Sequence, residues 1–369
     1  MRFRWITAIL LALLPVSGCW DAVDIDRRAI ILALGLEMAP NNKILVSAQI
    51  PQSSFFPFSP GQSSEMPYQT LTGIAKTGYG ATLGLESKTW KRLFFMQLKT
   101  VLVNTALAEQ GIKPYFEYLE RNPQINPQSM VVLTETNCRD TLSVPLSSKD
   151  IPGMAIYNFL KSEAKANQVF PMQTWEFLKR IEIRPIDAYL PIISYNSDEQ
   201  VYKFDGIGVF HRDRLTGKLS ETESRMAGIV MKEAHNATFT VPVGKMGDIS
   251  YQRLHWKREI AIIKTEPDFE FLINVSAKGY GSEITRDPTE LSPRQIKEIE
   301  RVTENYLKRN MAATVHRLQA MNSDIIGFGE LIRANKPELW KRLNWDQEYP
   351  RADFRVKVKF TLERVGKYR

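Results

Sequence analysis

The sequence predicts an α+β protein with three mixed α/β domains, largely antiparallel sheets, one long helix and an amphipathic C-terminal strand. Three patterns lead to this prediction. β-rich and helical runs alternate through the first half, a meander of β-rich runs follows, and a capped helical run precedes a final alternating strand. The chain has 369 residues, of which 43% are hydrophobic and 24% charged, so it can bury a large core divided over two or three domains.

A lipoprotein signal peptide is predicted to precede these domains. Arg2 and Arg4 give a basic start, and residues 5–16 form an apolar run that is too short to span a bilayer, because a transmembrane helix needs about 20 apolar residues. The run leads into VSGC, which resembles the lipobox of bacterial lipoproteins. The resemblance implies cleavage between Gly18 and Cys19, with a diacylglyceryl thioether and an N-acyl lipid on Cys19. The alternative is an ordinary signal peptide with a chance cysteine.

Residues 1–18 are thus the predicted signal peptide, and residues 19–28 are a lipidated polar leader. The formal charge of +8 suits an anionic membrane surface as well as it suits a nucleic acid. For an exported lipoprotein we expect the membrane and no nucleic acid. If Cys19 is lipidated, Cys138 has no disulfide partner in the chain, and we expect it to be a small buried apolar residue.

The first predicted domain covers residues 29–198. It begins with two β-rich runs joined by a Pro-Asn-Asn hairpin signal and then alternates strands and helices. The glycine-rich turn TGYGATLG invites comparison with phosphate-binding turns, but its spacing does not match the dinucleotide fingerprint. We expect RPIDAYLPIISYN, with its two prolines, to be an edge strand or connector, and the polar NSDEQ after it to mark a domain boundary.

A loop at residues 51–67, rich in Pro, Ser and Gly, carries Phe55, Phe56 and Phe58. Large apolar side chains on loops often mark contact sites, so these rings are candidates for contact with a partner or with the bilayer. The alternative is that the rings fold back onto their own domain, because scattered apolar residues are common on protein surfaces.

The second and third predicted domains cover residues 199–284 and 285–369. The second is β-rich, with a short amphipathic helix between a strand pair and a meander of antiparallel strands. The third opens with Ser292, Pro293 and Gln295 in the pattern of a capping box, and apolar residues then recur at helical spacing to about residue 321. The final strand alternates apolar and polar residues, which places one face on a core and the other in water.

The end of the chain is basic and includes Lys357, Lys359 and Lys367. The simplest interpretation is a solvated strand face whose charges also protect an edge from aggregation. A sharper hypothesis is contact with anionic headgroups or with an acidic face of a partner.

Three segments at the beginning, middle and end of the chain resemble the Ger(x)C family of spore germination lipoproteins. They are CWDAVDIDRRAIILALGLE after the lipobox, DGIGVFHRDRLTGKL from Asp205, and NSDIIGFGELIRANKPELWKRLNWDQEYPRADFRVKVKFTLERVGK from Asn322. The closing segment is the most specific of the three. The loop at residues 51–67 departs from the family pattern because it is longer and more aromatic.

The resemblance implies a non-enzymatic subunit of a nutrient germinant receptor, held by its lipid on the outer face of the inner spore membrane of a Gram-positive spore former. It also implies three mixed α/β domains and two partners, a large membrane A subunit and an integral-membrane B subunit. The matched segments do not reveal contact residues, since Asp205, Gly208, Asp324 and Gly329 within them are explained by turns, close packing or helix capping.

The residues themselves carry no signature of catalysis. A serine nucleophile elbow, a zinc-binding helix and a P-loop are absent from the sequence, and the four histidines, at positions 211, 235, 255 and 316, are dispersed. We therefore predict no enzyme activity, no catalytic or metal-ligating residue and no cofactor beyond the lipid. The alternatives are an envelope assembly lipoprotein and a solute-binding lipoprotein of a transporter, whose two-lobed design fits the second half of the chain poorly.

Overall fold

Strands and helices mix throughout the computed structural model, which describes residues 24–52, 67–165, 169–183, 185–243, 247–284 and 291–365. The strands are β1 (Arg28–Ile30), β2 (Ala33–Ala39), β3 (Lys43–Pro51), β4 (Tyr68–Ala75), β5 (Arg92–Phe94), β6 (Thr100–Asn104), β7 (Met130–Thr134), β8 (Met172–Gln173), β9 (Tyr189–Asn196), β10 (Val201–His211), β11 (Arg214–Leu219), β12 (Ala234–Pro242), β13 (Asp248–Lys264), β14 (Glu270–Ile284) and β15 (Asp353–Val365). The helices are α1 (Gly78–Glu86), α2 (Thr105–Gln110), α3 (Lys113–Arg121), α4 (Cys138–Thr141), α5 (Pro152–Lys165), α6 (Thr174–Glu182), α7 (Glu221–Met231), α8 (Pro293–Ala320), α9 (Phe328–Asn335), α10 (Pro337–Trp340) and α11 (Trp345–Glu348).

A nine-stranded sheet of mixed orientation is the larger of the two main sheets. Its strand order is β11-β10-β9-β7-β6-β2-β3-β4, and β8 pairs with β7 beside this path. Four neighbouring strands, β9, β7, β6 and β2, run parallel, whereas the outer neighbours pair antiparallel. Antiparallel pairs are the more numerous, as expected, but the sheets are of mixed orientation. The central strands are parallel because the helices between β6, β7 and β9 lie in crossover connections, which join parallel strands.

The parallel strands are buried on both faces. Val101 and Val131 belong to one apolar cluster, whereas their chain neighbours Leu102 and Val132 belong to the other. This division follows from the alternation of side chains across a strand. Helices α2, α3 and α6 contribute to the first cluster, and α4 and α5 contribute to the second. Both faces are thus covered, as is usual for parallel strands.

The hairpin β9–β10 changes the interpretation of the segment that we expected at a sheet edge. Strand β9 lies inside the sheet, between β7 and β10. Pro191 pairs with Ile207 of β10, and it is tolerated there because β9 and β7 share only the one pair Leu133 and Ile192. The polar NSDEQ forms the hairpin turn, so the sheet continues across residue 198, where we predicted a domain boundary.

The second main sheet has four strands in the order β12-β13-β14-β15. Strands β12, β13 and β14 form the predicted antiparallel meander. Strand β15 then pairs parallel with β14, from Asp353 beside Glu270 to Val365 beside Gly281. The final strand therefore shares a sheet with the predicted middle segment, across the boundary that we placed at residue 284. Both main sheets thus cross a predicted boundary, and the three-domain division stays a prediction.

The long helix α8 has the predicted start and length. It spans 28 residues, and Ser292 and Gln295 form the reciprocal capping box. Buried residues of one stripe, among them Ile299, Leu307 and Met311, face the core. No helix within the described residues is long and apolar enough to cross a membrane.

Helix α8 also connects the two main sheets. At its C-terminal end, the Arg317 guanidinium lies 2.9 Å from a Glu223 carboxylate oxygen and donates to the Lys218 carbonyl oxygen, also at 2.9 Å. A Cβ atom on Gly217 of β11 would lie 2.0 Å from the sulfur of Met321, so the glycine makes room for the end of the helix. Residues of β11, α7 and α8 are thus held together by direct contacts.

Two smaller features agree with packing roles. A Cβ atom on Gly73 of β4 would lie 2.0 Å from the Ala81 carbonyl oxygen, so this strand glycine allows α1, which begins within the glycine-rich segment, to approach closely. Cys138 is fully buried, as expected, and burial raises the pKa of its thiol well above the usual value. Its backbone N–H donates to the Glu37 carboxylate at 2.7 Å.

Candidate partner-contact surface

The final strand has the predicted amphipathic character. Val356, Phe360 and Leu362 are buried, whereas Lys357 and Lys359 are exposed. The buried side chains face α8; the ring of Phe360 lies 4.9 Å from that of Tyr251, whose hydroxyl is 2.7 Å from the Thr303 hydroxyl of the helix. The opposite face of the four-stranded sheet, which we call the open face, therefore carries the lysines.

Strand register brings a third lysine to the two that the sequence indicated. Lys257 of β13, Ser276 of β14 and Lys359 of β15 lie side by side across three strands. Glu259, Asn274 and Lys357 form the next row. The side chains of the central strand are short, and a groove of about 460 Å³ lies between the flanking strands.

The charges of the open face differ between its two ends. Within the part of the chain that the structure describes, no carboxylate lies within ion-pair distance of Lys257, Lys357 or Lys359. Near the end of β15, in contrast, Lys278 lies 3.0 Å from Glu363, and this contact lowers the pKa of the Glu363 carboxyl. The groove is lined by these three lysines and Arg258, and also by Glu233 and Glu259, so basic side chains outnumber acidic ones there. The region around Glu363 is already neutralised by Lys278.

The outer edge of β15 is protected by helix α8 as well as by charge. The Glu304 and Glu300 side chains of α8 accept hydrogen bonds from the backbone N–H groups of Phe360 and Leu362, each at 2.9 Å. These N–H groups would otherwise offer a template for another strand. We expected surface charges to protect this edge, and the structure adds these two carboxylates, four residues apart on one face of the helix.

The closing segment of the family resemblance is organised around the buried Asp324. One carboxylate oxygen accepts from the N–H groups of Gly327 and Phe328 at 2.8 and 3.0 Å. The other accepts from Gly329 N–H at 2.7 Å and from the Trp345 indole at 2.9 Å. Burial raises the pKa of Asp324 to about 6, against the opposing effect of these hydrogen bonds. Asp324 therefore accepts from the first N–H groups of α9, although Gly327 occupies the N-cap position itself. This is close to the capping role expected for an aspartate before a helix.

Asp187 connects two of the segments that resemble the family, the one from Asp205 and the one from Asn322, at the same place. Its carboxylate accepts from Asp324 N–H at 2.8 Å and from Arg212 N–H at 3.1 Å, and its own N–H donates to the Asp324 carbonyl at 3.0 Å. The Arg212 guanidinium contacts Asp346 at 2.6 Å. His211 lies 3.8 Å from the Asp187 carboxylate, which raises the pKa of the imidazole.

The glycines of the matched segments leave no room for side chains. A Cβ atom on Gly208 would lie 2.4 Å from Leu133, and one on Gly329 would lie 2.7 Å from the Trp345 indole nitrogen. Gly206 has a φ of +118°, which residues with side chains rarely adopt. Asp205, beside this glycine, is exposed at an irregular step between β9 and β10. These positions therefore shape the fold of the two segments.

Family models match nearly the whole chain. The model of the spore germination protein N-terminal domain matches residues 21–195, and the model described as "Spore germination B3/ GerAC like, C-terminal" matches residues 205–366. The chain belongs to the Ger(x)C family of spore germination proteins. This membership confirms the family that the three sequence segments indicated.

Individual Ger(x)C relatives are similar over their full lengths. Spore germination protein KC of Bacillus subtilis (strain 168) is 23% identical, covering 97% of this chain and 94% of the relative. Spore germination protein GerQC of Bacillus cereus is 18% identical, covering 98% and 99%. The crystal structure of the GerBC protein superposes with a TM-score of 0.53 at 16% identity, covering 89% of this chain and 96% of that chain, and supports the fold.

The structure places only some of the candidate residues of this Ger(x)C protein. Lys357 and Lys359 lie together on the open face. The cleavage site at Gly18 and Cys19, the three phenylalanines of the 51–67 loop and Lys367 lie outside the described residues. The sequence patterns missed Lys257. They showed that apolar and polar residues alternate in β13, but they could not show that this strand lies in register with β15, about 100 residues later. Within the described residues, no group of three or more His, Cys, Asp or Glu side chains could hold a metal ion.

Asp324→Asn should destabilise the fold by about 1–3 kcal/mol. The two carboxylate oxygens accept from four N–H groups, whereas an amide has one acceptor oxygen and would leave some of these donors without a partner. The folded-state pKa of about 6 lies above the unfolded value near 4, so this carboxyl makes wild-type stability fall as the pH rises between those values. The variant should lack that contribution. Urea unfolding at pH 4.5 and pH 7 measures both effects.

The matched control for this experiment is Asp205→Asn, at an exposed aspartate of the middle segment, which should change stability by less than about 0.5 kcal/mol. An Asp324→Asn variant with wild-type stability and wild-type pH dependence would contradict the capping role of the carboxylate.

Proposed function

We propose that this Ger(x)C protein is a lipid-anchored subunit of a spore nutrient germinant receptor and is needed for germination in response to nutrients. The observation that carries the proposal is the match of both family models, which extends from residue 21 to residue 366 with a short gap. The lipobox ends immediately before the first match, so the predicted mature chain and the family region begin together. The protein acts by assembly rather than by catalysis.

The lipid on Cys19 would hold the protein on the outer face of the inner spore membrane. Two acyl chains, at about 0.8 kcal/mol for each buried methylene, give stable anchoring where one chain does not. The described residues contain no helix that could take over this role. The anchor therefore brings a folded body to the membrane in which its proposed partners, the integral-membrane A and B subunits, lie.

The open face is the surface that we assign to partner contact. Its groove presents Lys257, Lys357 and Lys359 around the short side chains of Asn274 and Ser276, which suits an acidic segment of another subunit. Charge complementarity of this kind increases association rates and selects partners. Anionic headgroups are the alternative ligand for the same charges, and vesicle binding distinguishes the two.

The solute-binding alternative is less consistent with the sheet topology. A solute-binding lipoprotein builds its cleft between two lobes, whereas the larger sheet of this protein is continuous from β4 to β11. The matches to spore germination proteins at full length also favour the receptor subunit. Copurification with two membrane subunits from spore membranes tests this assignment, and tight binding of a nutrient to the isolated chain without such copurification would favour the alternative.

Cys19→Ala should leave the fold intact and release the protein from the membrane, because the lipid is lost while no core residue changes. Spores that carry this variant should fail to germinate in response to nutrients. Membrane fractionation and a germination assay measure the two effects. Ser17→Ala is the matched control, since it keeps a small residue and the cysteine, and should behave like the wild type. A Cys19→Ala protein that stays fully membrane-bound and active would refute the anchor.

Combined Lys357→Glu and Lys359→Glu substitutions should abolish copurification of the membrane subunits, because they reverse the charge of the groove. A triple variant that also carries Lys367→Glu tests the third candidate lysine. Combined Lys297→Glu and Lys308→Glu substitutions on exposed positions of α8 provide the matched control with the same change of charge as the pair. Unchanged assembly would exclude the open face as a partner surface. Lost vesicle binding with intact assembly would assign the lysines to headgroups instead.

Serine replacement of Phe55, Phe56 and Phe58 should weaken germination without lowering the unfolding temperature, if the rings contact a partner or the bilayer. Phe95, which is 3% exposed in the core, gives the contrast. Phe95→Ser should destabilise the protein by about 3–5 kcal/mol, as expected for loss of a buried ring. A similar loss of stability in the loop variant would show that its three rings are part of the core.

A further inference from the structure

The small parallel sheet β1–β5 lies beside the start of the described chain. Arg28 pairs with Arg92, and Ile30 pairs with Phe94. Because the two strands are parallel, their first residues lie at the same end of the small sheet. Trp90 precedes Arg92 by two residues, and Ile25 precedes Arg28 by three, in the 3₁₀ turn through which the chain comes from the predicted leader. The loop before β5 and the 3₁₀ turn before β1 therefore share one end of the small sheet.

Two large apolar side chains at this end are exposed. Trp90 is 79% exposed and Ile25 is 71% exposed, the two highest values among the exposed large hydrophobic residues of the described chain. Scattered exposed residues need no explanation, but these two come from segments that strand pairing brings together. An indole ring has an apolar body and a polar N–H, a combination that is enriched at the interface between a membrane and water.

Basic side chains surround this apolar pair. The Lys91 ammonium lies 5.3 Å from the centre of the Trp90 ring, and the Arg28 guanidinium lies 4.6 Å from the centre of the Phe94 ring. Arg27 and Arg92 are exposed. Asp24, Asp26 and Glu86 are acidic neighbours in the sequence, so residues 24–28 and 86–92 together hold five basic and three acidic side chains. This end of the small sheet therefore has a positive balance.

The proposed anchor limits the distance between this end and a membrane. Cys19 precedes Asp24 by five residues, and an extended chain spans at most about 3.5 Å per residue, so the tether is no longer than about 18 Å. This step rests on the proposed function, because it requires the lipid on Cys19. With that lipid in a bilayer, the end of the small sheet that carries Trp90 stays close to the headgroups.

We propose that Ile25, Arg27, Trp90, Lys91 and Arg92, which we call the tether patch, dock on an anionic phospholipid surface. Trp90 and Ile25 enter the interfacial region, and the three cations contact phosphate groups. Basic residues near an anionic surface add to membrane affinity, so the tether patch adds to the anchor and sets the orientation of the body. A tether alone would leave that orientation free.

Quenching of tryptophan fluorescence by brominated lipid tests the tether patch in the full lipidated chain. The chain is reconstituted into vesicles of phosphatidylcholine brominated on its acyl chains, with or without phosphatidylglycerol. Trp90→Phe should remove a quenched component of the fluorescence. Trp175→Phe is the matched control: this tryptophan is 48% exposed on α6, and its loss should remove unquenched fluorescence only. Combined Lys91→Glu and Arg92→Glu substitutions should abolish the increase in quenching that phosphatidylglycerol causes.

The outcomes separate the tether patch from the anchor. Chains that float with the vesicles while Trp90→Phe leaves the quenched fluorescence unchanged would overturn the tether patch and leave the anchor standing. This result is also expected if Trp90 contacts a protein subunit, which these vesicles lack. Chains that do not float at all would overturn both the anchor and the inference that rests on it.

Discussion

The paired contacts between Asp187 and Asp324 are the constraint on which the arrangement of the two main sheets depends. Each residue donates its backbone N–H to an oxygen of the other, at 3.0 and 2.8 Å. Asp187 precedes β9 of the larger sheet, and Asp324 caps the helix that leads to β15 of the smaller one. Aromatic rings cover this joint; those of Phe328 and Phe354 lie 4.5 Å apart. Loss of the Asp324 carboxylate would leave several N–H groups without partners in a site that excludes water.

The joint and helix α8 make the two sheets one unit. Ser323, next to the capping aspartate, donates to the Phe210 carbonyl of β10, and Arg317 of α8 contacts Glu223 of α7. The same helix covers the apolar face of the smaller sheet and satisfies two N–H groups at the edge of β15. Because α8 occupies that face and edge, it leaves the opposite, open face uncovered. The lysine groove thus follows from where the helix packs.

Local sequence patterns predicted the elements well where one periodicity dominates. The capping box at Ser292 and the alternation in β15 indicated the long helix and the amphipathic strand with little error. They failed at β9, where the prolines predicted an edge strand and the polar turn predicted a linker. A single residue pair with β7 is enough to place this strand inside the sheet. The parallel orientation of the central strands and the approach of Lys257 to Lys359 depend on long-range pairing, which no local pattern encodes.

The contacts between Asp187 and Asp324 give the proposed anchor a second consequence beyond location. With the proposed lipid on Cys19 in the membrane, the effective concentration of the open face would rise for partners in the same bilayer. If the two main sheets moved freely, holding the larger sheet near the membrane would not fix the orientation of the smaller sheet, which carries the open face. The contacts through Asp324, Ser323 and Arg317 couple them instead. A body held at its N-terminal end by the proposed anchor would therefore present the groove of the open face in one orientation. That orientation would suit a partner with a complementary acidic surface at a defined height above the bilayer.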